Sequence, residues 1–158
     1  MITPERAQYV EEVGVFFEGQ GLPRMAGRVL GFLMTAEPPL QPTGALIDAL
    51  SASKGAISLT TRMLVDLGLI ERVGVPGDRR DHYRVRADAW VRLLARNAVM
   101  ASAMRELAER GLAVTPDTPA ACTQLEEMRD LFAFIEREYP ALLERWQRER
   151  EEPRNTRS

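Results

Sequence analysis

Residues 53–86 read SKGAISLTTRMLVDLGLIERVGVPGDRRDHYRVR, and the order of the signals in this stretch decides the fold. Ser53 is of the helix-capping type: its hydroxyl is suited to accept a hydrogen bond from a backbone N–H about three residues on. The helix it starts runs to about Leu67, with Ile57, Leu64 and Leu67 as its inward stripe, and Gly68 fits the C-cap. Residues 69–75 are β-branched and partly alternating, Pro76-Gly77-Asp78 supplies turn chemistry, and 82–86 alternates again as a return strand. A third, short helix is expected over 43–51, with Leu46, Ile47 and Leu50 inward. A hairpin directly after a short-helix, turn, long-helix unit is the order of a winged helix-turn-helix.

Working outward, residues 4–18 read as a helix with Pro4 in its first turn and Tyr9, Val13, Phe16 and Phe17 on one face; Gly19 and Gly21 stop it. Pro23 opens a second helix with Met25, Val29, Phe32 and Leu33 as its apolar stripe. Gly27 and Gly31, four apart on it, admit another backbone at close range. Glu37-Pro38-Pro39 ends it, because the residue before proline avoids helical angles.

Beyond the hairpin the pattern is helical. Trp90, Leu93, Asn97, Met100, Met104 and Leu107 form one seam of heptad spacing. Leu125, Met128, Phe132, Ile135, Tyr139, Leu142 and Trp146 form another. Residues 114–120, with Pro116 and Pro119, separate them, and Pro140 is expected to end or kink the second helix. A lone winged-helix domain needs little beyond residue 86. Two further seams therefore suggest a dimerisation surface built with the first helix and using Tyr9, Val13 and Phe16, and Asn97 at an otherwise apolar position is suited to set register. The seams also read as plain internal core. The expected division is 1–20 for dimerisation, 22–87 for the DNA-binding winged helix, 88–150 for a second dimerisation region, and 151–158 for a charged, frayed tail.

Composition is that of an ordinary soluble globular protein. The 158 residues carry a net charge of −2, but the charge is uneven. Residues 42–86 hold seven Lys or Arg against five acids, net +2, while the segments on either side are each net −2. The one cysteine, Cys122, has no partner for an internal disulfide. No apolar run approaches the roughly 18 residues of a membrane span, and the N-terminus lacks the pattern of a signal peptide. A cytoplasmic protein is the expectation.

The quoted blocks also carry a resemblance. Leu22-Pro23-Arg24-Met25-Ala26-Gly27-Arg28, Ser53-Lys54-Gly55-Ala56-Ile57-Ser58, Gly68-Leu69-Ile70-Glu71-Arg72-Val73 and Pro76-Gly77-Asp78-Arg79-Arg80 with Tyr83 resemble the glycine-betaine regulator branch of the MarR (multiple-antibiotic-resistance repressor) family. The likeness is clearest over 22–90. It implies a dimer held by terminal helices, a palindromic operator in double-stranded DNA and often a small-molecule effector. One departure is Thr61, where the family helix usually places a large apolar residue.

If Ile57 and Leu64 face the core, Ser53, Lys54, Gly55, Ser58 and Arg62 are presented outward from the N-terminal half of the candidate recognition helix, the end that a helix-turn-helix offers to base edges. At the hairpin tip Arg79 or Arg80 is placed to enter a minor groove, with Asp78 bracing the loop, and Arg84 and Arg86 are placed for phosphate. Met100, Met104, Trp90 and Phe132 read either as core or as the lining of an effector pocket. His82 reads as an ordinary hairpin residue and Cys122 as a non-reactive thiol. No phosphate-cradling loop, nucleophile with a base, or metal-ligand cluster is legible, so no enzyme, metal or cofactor is expected. The alternative to a DNA-binding transcriptional regulator is a winged-helix interaction module that does not read DNA, favoured by the near-neutral total charge.

Overall fold

The computed structural model describes residues 2–116 and 118–151, with backbone only at 119–121. The tail expected at 151–158 lies, from residue 152 on, outside the described residues. The protein is mainly helical with one small antiparallel sheet, and the chain divides into two compact units, Met1–Trp90 and Val91–Ser158.

In the first unit, α1 (Pro4–Gly19) and α2 (Arg24–Met34) lie against one another, followed by β1 (Gln41–Pro42), α3 (Thr43–Leu50), α4 (Lys54–Asp66), β2 (Ile70–Val75) and β3 (Asp78–Val85). The close α1–α2 approach is the work of Gly27. A β-carbon there would sit 2.5 Å from the Val13 carbonyl oxygen and 2.7 Å from the Gly14 α-carbon. Val13 therefore faces α2 of its own chain, whereas Tyr9 and Phe16, expected on the same face, remain exposed. Buried in this unit are Val10 and Phe17 of α1, Val29, Leu30 and Leu33 of α2, Leu46 and Leu50 of α3, and Ile57 and Leu64 of α4.

Two arginines tie these helices by their ends. Arg6 donates from Nη2 to the Phe32 carbonyl at 3.0 Å and from Nε to Thr35 Oγ1 at 2.8 Å, a cation at the negative end of α2. Arg28 donates to the carbonyl of Leu50, the last residue of α3, at 3.1 Å, and its Nε lies 2.6 Å from Glu11 Oε1. The turn between α3 and α4 is then only three residues long. Ser51 takes the left-handed conformation at φ 48° to close α3, and Ser53 Oγ accepts from the Ala56 N–H at 3.1 Å to open α4.

The sheet has the order β1-β3-β2, with Gln41 opposite Tyr83 and Arg72 opposite Tyr83 on the other side. Strand β1 has no counterpart in the sequence reading: two residues, one of them proline, are too few to show a period. Leu69, expected in the strand, lies just before it and is buried. The hairpin tip is also tighter than expected. Val75 pairs with Asp78, so only Pro76 and Gly77 turn the chain, and Arg79 and Arg80 lie on β3 itself. Proline presets the first turn position and Gly77, at φ 81°, takes the positive φ of the second.

Helix α5 spans Ala89–Val114 and α6 spans Pro119–Glu151. Pro140 does not end α6: a lost backbone hydrogen bond at one position is sustained by a helix of 33 residues. Within the second unit the two helices meet partly through the seam residues Asn97, Leu125 and Tyr139 and partly through Arg105, Gly111 and Glu136, which lie outside the seams. Asn97 Nδ2 donates to Tyr139 Oη at 3.2 Å, Leu125 packs over Gly111, and Arg105 Nε reaches Glu136 Oε2 at 2.6 Å. Leu93, Met104, Met128, Phe132 and Ile135 are half-buried, while Met100, Leu107, Leu142 and Trp146 stay exposed.

Candidate nucleic-acid interface

At about 3.6 residues per turn, α4 divides into two arcs. The inner arc is Ile57, Thr60, Thr61 and Leu64, all buried. Leu67, expected in the buried stripe, is only half-buried at the C-cap, while Thr60 and Thr61 are buried. The hydroxyl of Thr61, 1% exposed, donates back to the Ile57 carbonyl at 2.8 Å. That bond satisfies the buried oxygen and explains how a polar residue fits where a large apolar one was expected. The outer arc is Lys54, Gly55, Ser58, Leu59 and Arg62, all exposed, with Ser53 exposed at the cap.

Between this helix and the sheet runs a cleft of about 370 Å³, lined by Ser58, Arg62 and Val65 of α4 and by Arg72, Asp81 and Tyr83 of the two strands. Asp81 is held from two sides: its backbone carbonyl accepts from Thr43 Oγ1 at 3.0 Å, and its carboxylate lies 3.5 Å from Arg72 Nη1.

The cations of this unit separate by pairing. Arg80 donates from Nε and Nη2 to both oxygens of Asp78, at 2.9 and 2.6 Å, and Asp78 also accepts from the Arg80 backbone N–H. These charge-assisted bonds hold the Asp78 carboxyl far below the usual carboxylate range and raise the Arg80 guanidinium. Arg84 pairs with Glu71 at 2.6 Å and Arg86 with Asp88 at 2.9 Å, which raises Arg86 as well. Lys54, Arg62 and Arg79, by contrast, are exposed and have no ion-pair partner among the described residues.

The side chains singled out in sequence thus fall on two adjoining surfaces, the outer arc of α4 and the strand leaving the hairpin turn. Two were missed. Arg72 shares the cleft with Arg62 through the strand register that sets it opposite Tyr83, which leaves no signal in the sequence. Leu59 lies on the outward arc between Ser58 and Arg62, off the Ile57–Leu64 stripe, and that helical spacing is the signal that places it.

Among the described residues no group of three or more His, Cys, Asp or Glu is arranged to hold a metal ion. No described helix is long and apolar enough to cross a membrane. Cys122 is buried, its thiol 3.5 Å from the Pro116 carbonyl. His82 is buried on the sheet with Nδ1 3.0 Å from the Arg80 carbonyl.

Comparison with known proteins agrees with this geometry. Residues 20–81 match the model of the MarR family, and residues 88–150 match that of the MmpR5-like MarR family transcriptional regulators. The chain is 40% identical over 134 residues to the HTH-type transcriptional regulator MmpR5 of Mycobacterium tuberculosis (strain ATCC 25618 / H37Rv), covering 84% of this chain and 81% of that protein. It is 26% identical over 130 residues to the HTH-type transcriptional repressor OpcR of Bacillus subtilis (strain 168), covering 73% and 70%. A crystal structure of a transcriptional regulator superposes with a TM-score of 0.79 at 38% identity, over 92% of this chain and 99% of that one. The chain belongs to the MarR family of transcriptional regulators.

Proposed function

We propose that the protein is a cytoplasmic homodimeric regulator, with no catalytic activity of its own, that represses transcription by binding a palindromic operator in double-stranded DNA. In this reading α4 of each protomer enters a major groove, with Ser53, Lys54, Gly55, Ser58 and Arg62 toward the bases and phosphates. The hairpin adds contacts from Arg79, Arg80 and Arg84. The observation that carries the reading is the pairing pattern: Lys54, Arg62 and Arg79 are exposed without ion-pair partners among the described residues, all within the basic third of an otherwise acidic chain. Cations left unpaired keep their full charge for phosphate. Dimerisation through α1, α5 and α6 is supported by the apolar side chains those helices leave exposed, Phe16, Leu142 and Trp146 among them. Control by a small-molecule effector, and kinship with the glycine-betaine branch, belong to the same reading and rest on the family and on the blocks within residues 22–90.

The test is selection of duplexes from a random pool, followed by titration of the enriched sequence and a scrambled control across a salt series. Enrichment of a two-fold symmetric sequence, bound more tightly than the control and more weakly as salt rises, is the expected result. A protein that enriches nothing at low salt refutes the reading.

A further inference from the structure

Helix α4 reverses the ordinary pattern at three positions. It buries Thr60 and Thr61, and it leaves Leu59 63% exposed. Burial favours leucine over threonine by its larger apolar surface, so packing within the chain does not account for this arrangement. Leu59 lies one turn after Gly55, and Ser58 and Arg62 flank it on the outward arc. A β-carbon placed on Gly55 would meet nothing closer than the Ser53 hydroxyl at 4.0 Å, so the helix surface beside Leu59 is bare and open to close approach.

We propose that Leu59 is a specificity-determining residue that packs against the C5-methyl group of a thymine in the major groove; the inference rests on the DNA-reading role of α4 proposed above. Among the features that bases display in that groove, the thymine methyl is the apolar one, and it distinguishes an A·T pair from the others by shape and hydrophobicity rather than by hydrogen bonds. Ser58 and Arg62 on either side supply polar contacts to neighbouring edges, and Gly55 removes the side chain that would hold the helix away. The exposed leucine thereby gains on DNA the apolar burial that the fold withholds from it.

The experiment uses the duplex enriched by the parent protein, with each thymine replaced in turn by deoxyuridine, which removes the methyl and leaves the hydrogen-bonding edge unchanged. Removing one buried methyl is expected to weaken the parent by about fourfold per half-site. Leu59→Ala should bind the parental duplex more weakly and show no response to deoxyuridine at that same position. A second arm replaces the critical A·T pair with G paired to cytosine or to 5-methylcytosine. A preference of the parent for the methylated base, lost in Leu59→Ala, is expected if the methyl itself is read. Circular dichroism and sedimentation of Leu59→Ala should match the parent, because the side chain lies outside the core.

Equal sensitivity of parent and variant to deoxyuridine, or no sensitivity at any position in a parent that binds tightly, would overturn this inference while leaving the DNA-reading role intact. A Leu59→Ala protein that changes its association state would assign the residue to a protein interface instead. A parent that enriches no duplex removes both readings together.

Discussion

The guanidinium of Arg80 lies against the carboxylate of Asp78, with Nη2 2.6 Å from Oδ2 and Nε 2.9 Å from Oδ1, two residues apart on the strand that leaves the wing turn. The pair is local in sequence but needs the tight Pro76–Gly77 turn to bring it to the start of β3. His82 Nε2 lies 3.5 Å from the same carboxylate.

The first prediction follows from that pair. The folded-state acidity of Asp78 is strengthened, so the pairing is fully present above the unfolded carboxylate range and is lost only as pH falls through the much lower folded value. The Arg80 side-chain Nε resonance should therefore hold its position from neutral pH down through about pH 4, near the ordinary aspartate value. Asp78→Asn should move that resonance at neutral pH. A titration of the Arg80 resonance near pH 4 would show that the pair with Asp78 is not held in solution.

Second, base and phosphate contacts should separate by salt. Arg62→Ala is expected to cost about 1–3 kcal/mol on the enriched duplex and much less on scrambled DNA. Arg79→Ala with Arg80→Ala should weaken both and reduce the slope of log affinity against log salt by about one per lost phosphate contact. Fluorescence anisotropy over a salt series measures both quantities. Unchanged binding in every variant would place the DNA surface elsewhere.

Third, sedimentation at micromolar concentration should give about twice the 17.8 kDa chain mass. Leu142→Asp with Trp146→Asp, both on exposed positions of α6, should shift the protein toward the single-chain mass with its helix content retained. A parent that sediments as a monomer would remove the basis for a palindromic operator.

Fourth, Gly27→Ala should destabilise the first unit. The added carbon meets backbone on α1 at 2.5–2.9 Å, which no side-chain rotation relieves. The expected loss is about 1–3 kcal/mol in urea unfolding. At Gly19, where nothing lies within 4 Å, the same change should leave the midpoint unchanged or slightly raised.

Fifth, Ser51→Gly should stabilise the protein by up to about 1 kcal/mol. Ser51 is the one non-glycine at positive φ among the described residues, a conformation that costs other side chains and suits glycine. Thermal unfolding that shifts downward would show that the serine makes an interaction worth more than the strain.

Sequence alone determined what neighbouring residues encode together. The Ser53 cap, the Ile57–Leu64 stripe, the Gly68 stop and the Pro76-Gly77 turn each act within a few residues, so the helix-turn-helix and its hairpin were legible, as were the two long helices beyond. Tertiary structure decided what depends on residues far apart in the chain. Strand β1 exists because Gln41 and Pro42 meet Tyr83 and His82 across some forty residues. Val13 turned inward because Gly27 admits the α1 backbone, a fact about two helix axes rather than one helix face. Strand register also brings Glu71 to Arg84, whereas Arg79 has no ion-pair partner among the described residues. Leu59 is left outward and Thr60 is buried for the same reason. A hydrophobic pattern ranks side chains by the water they avoid, but the number of inward positions on α4 is fixed by what packs against it.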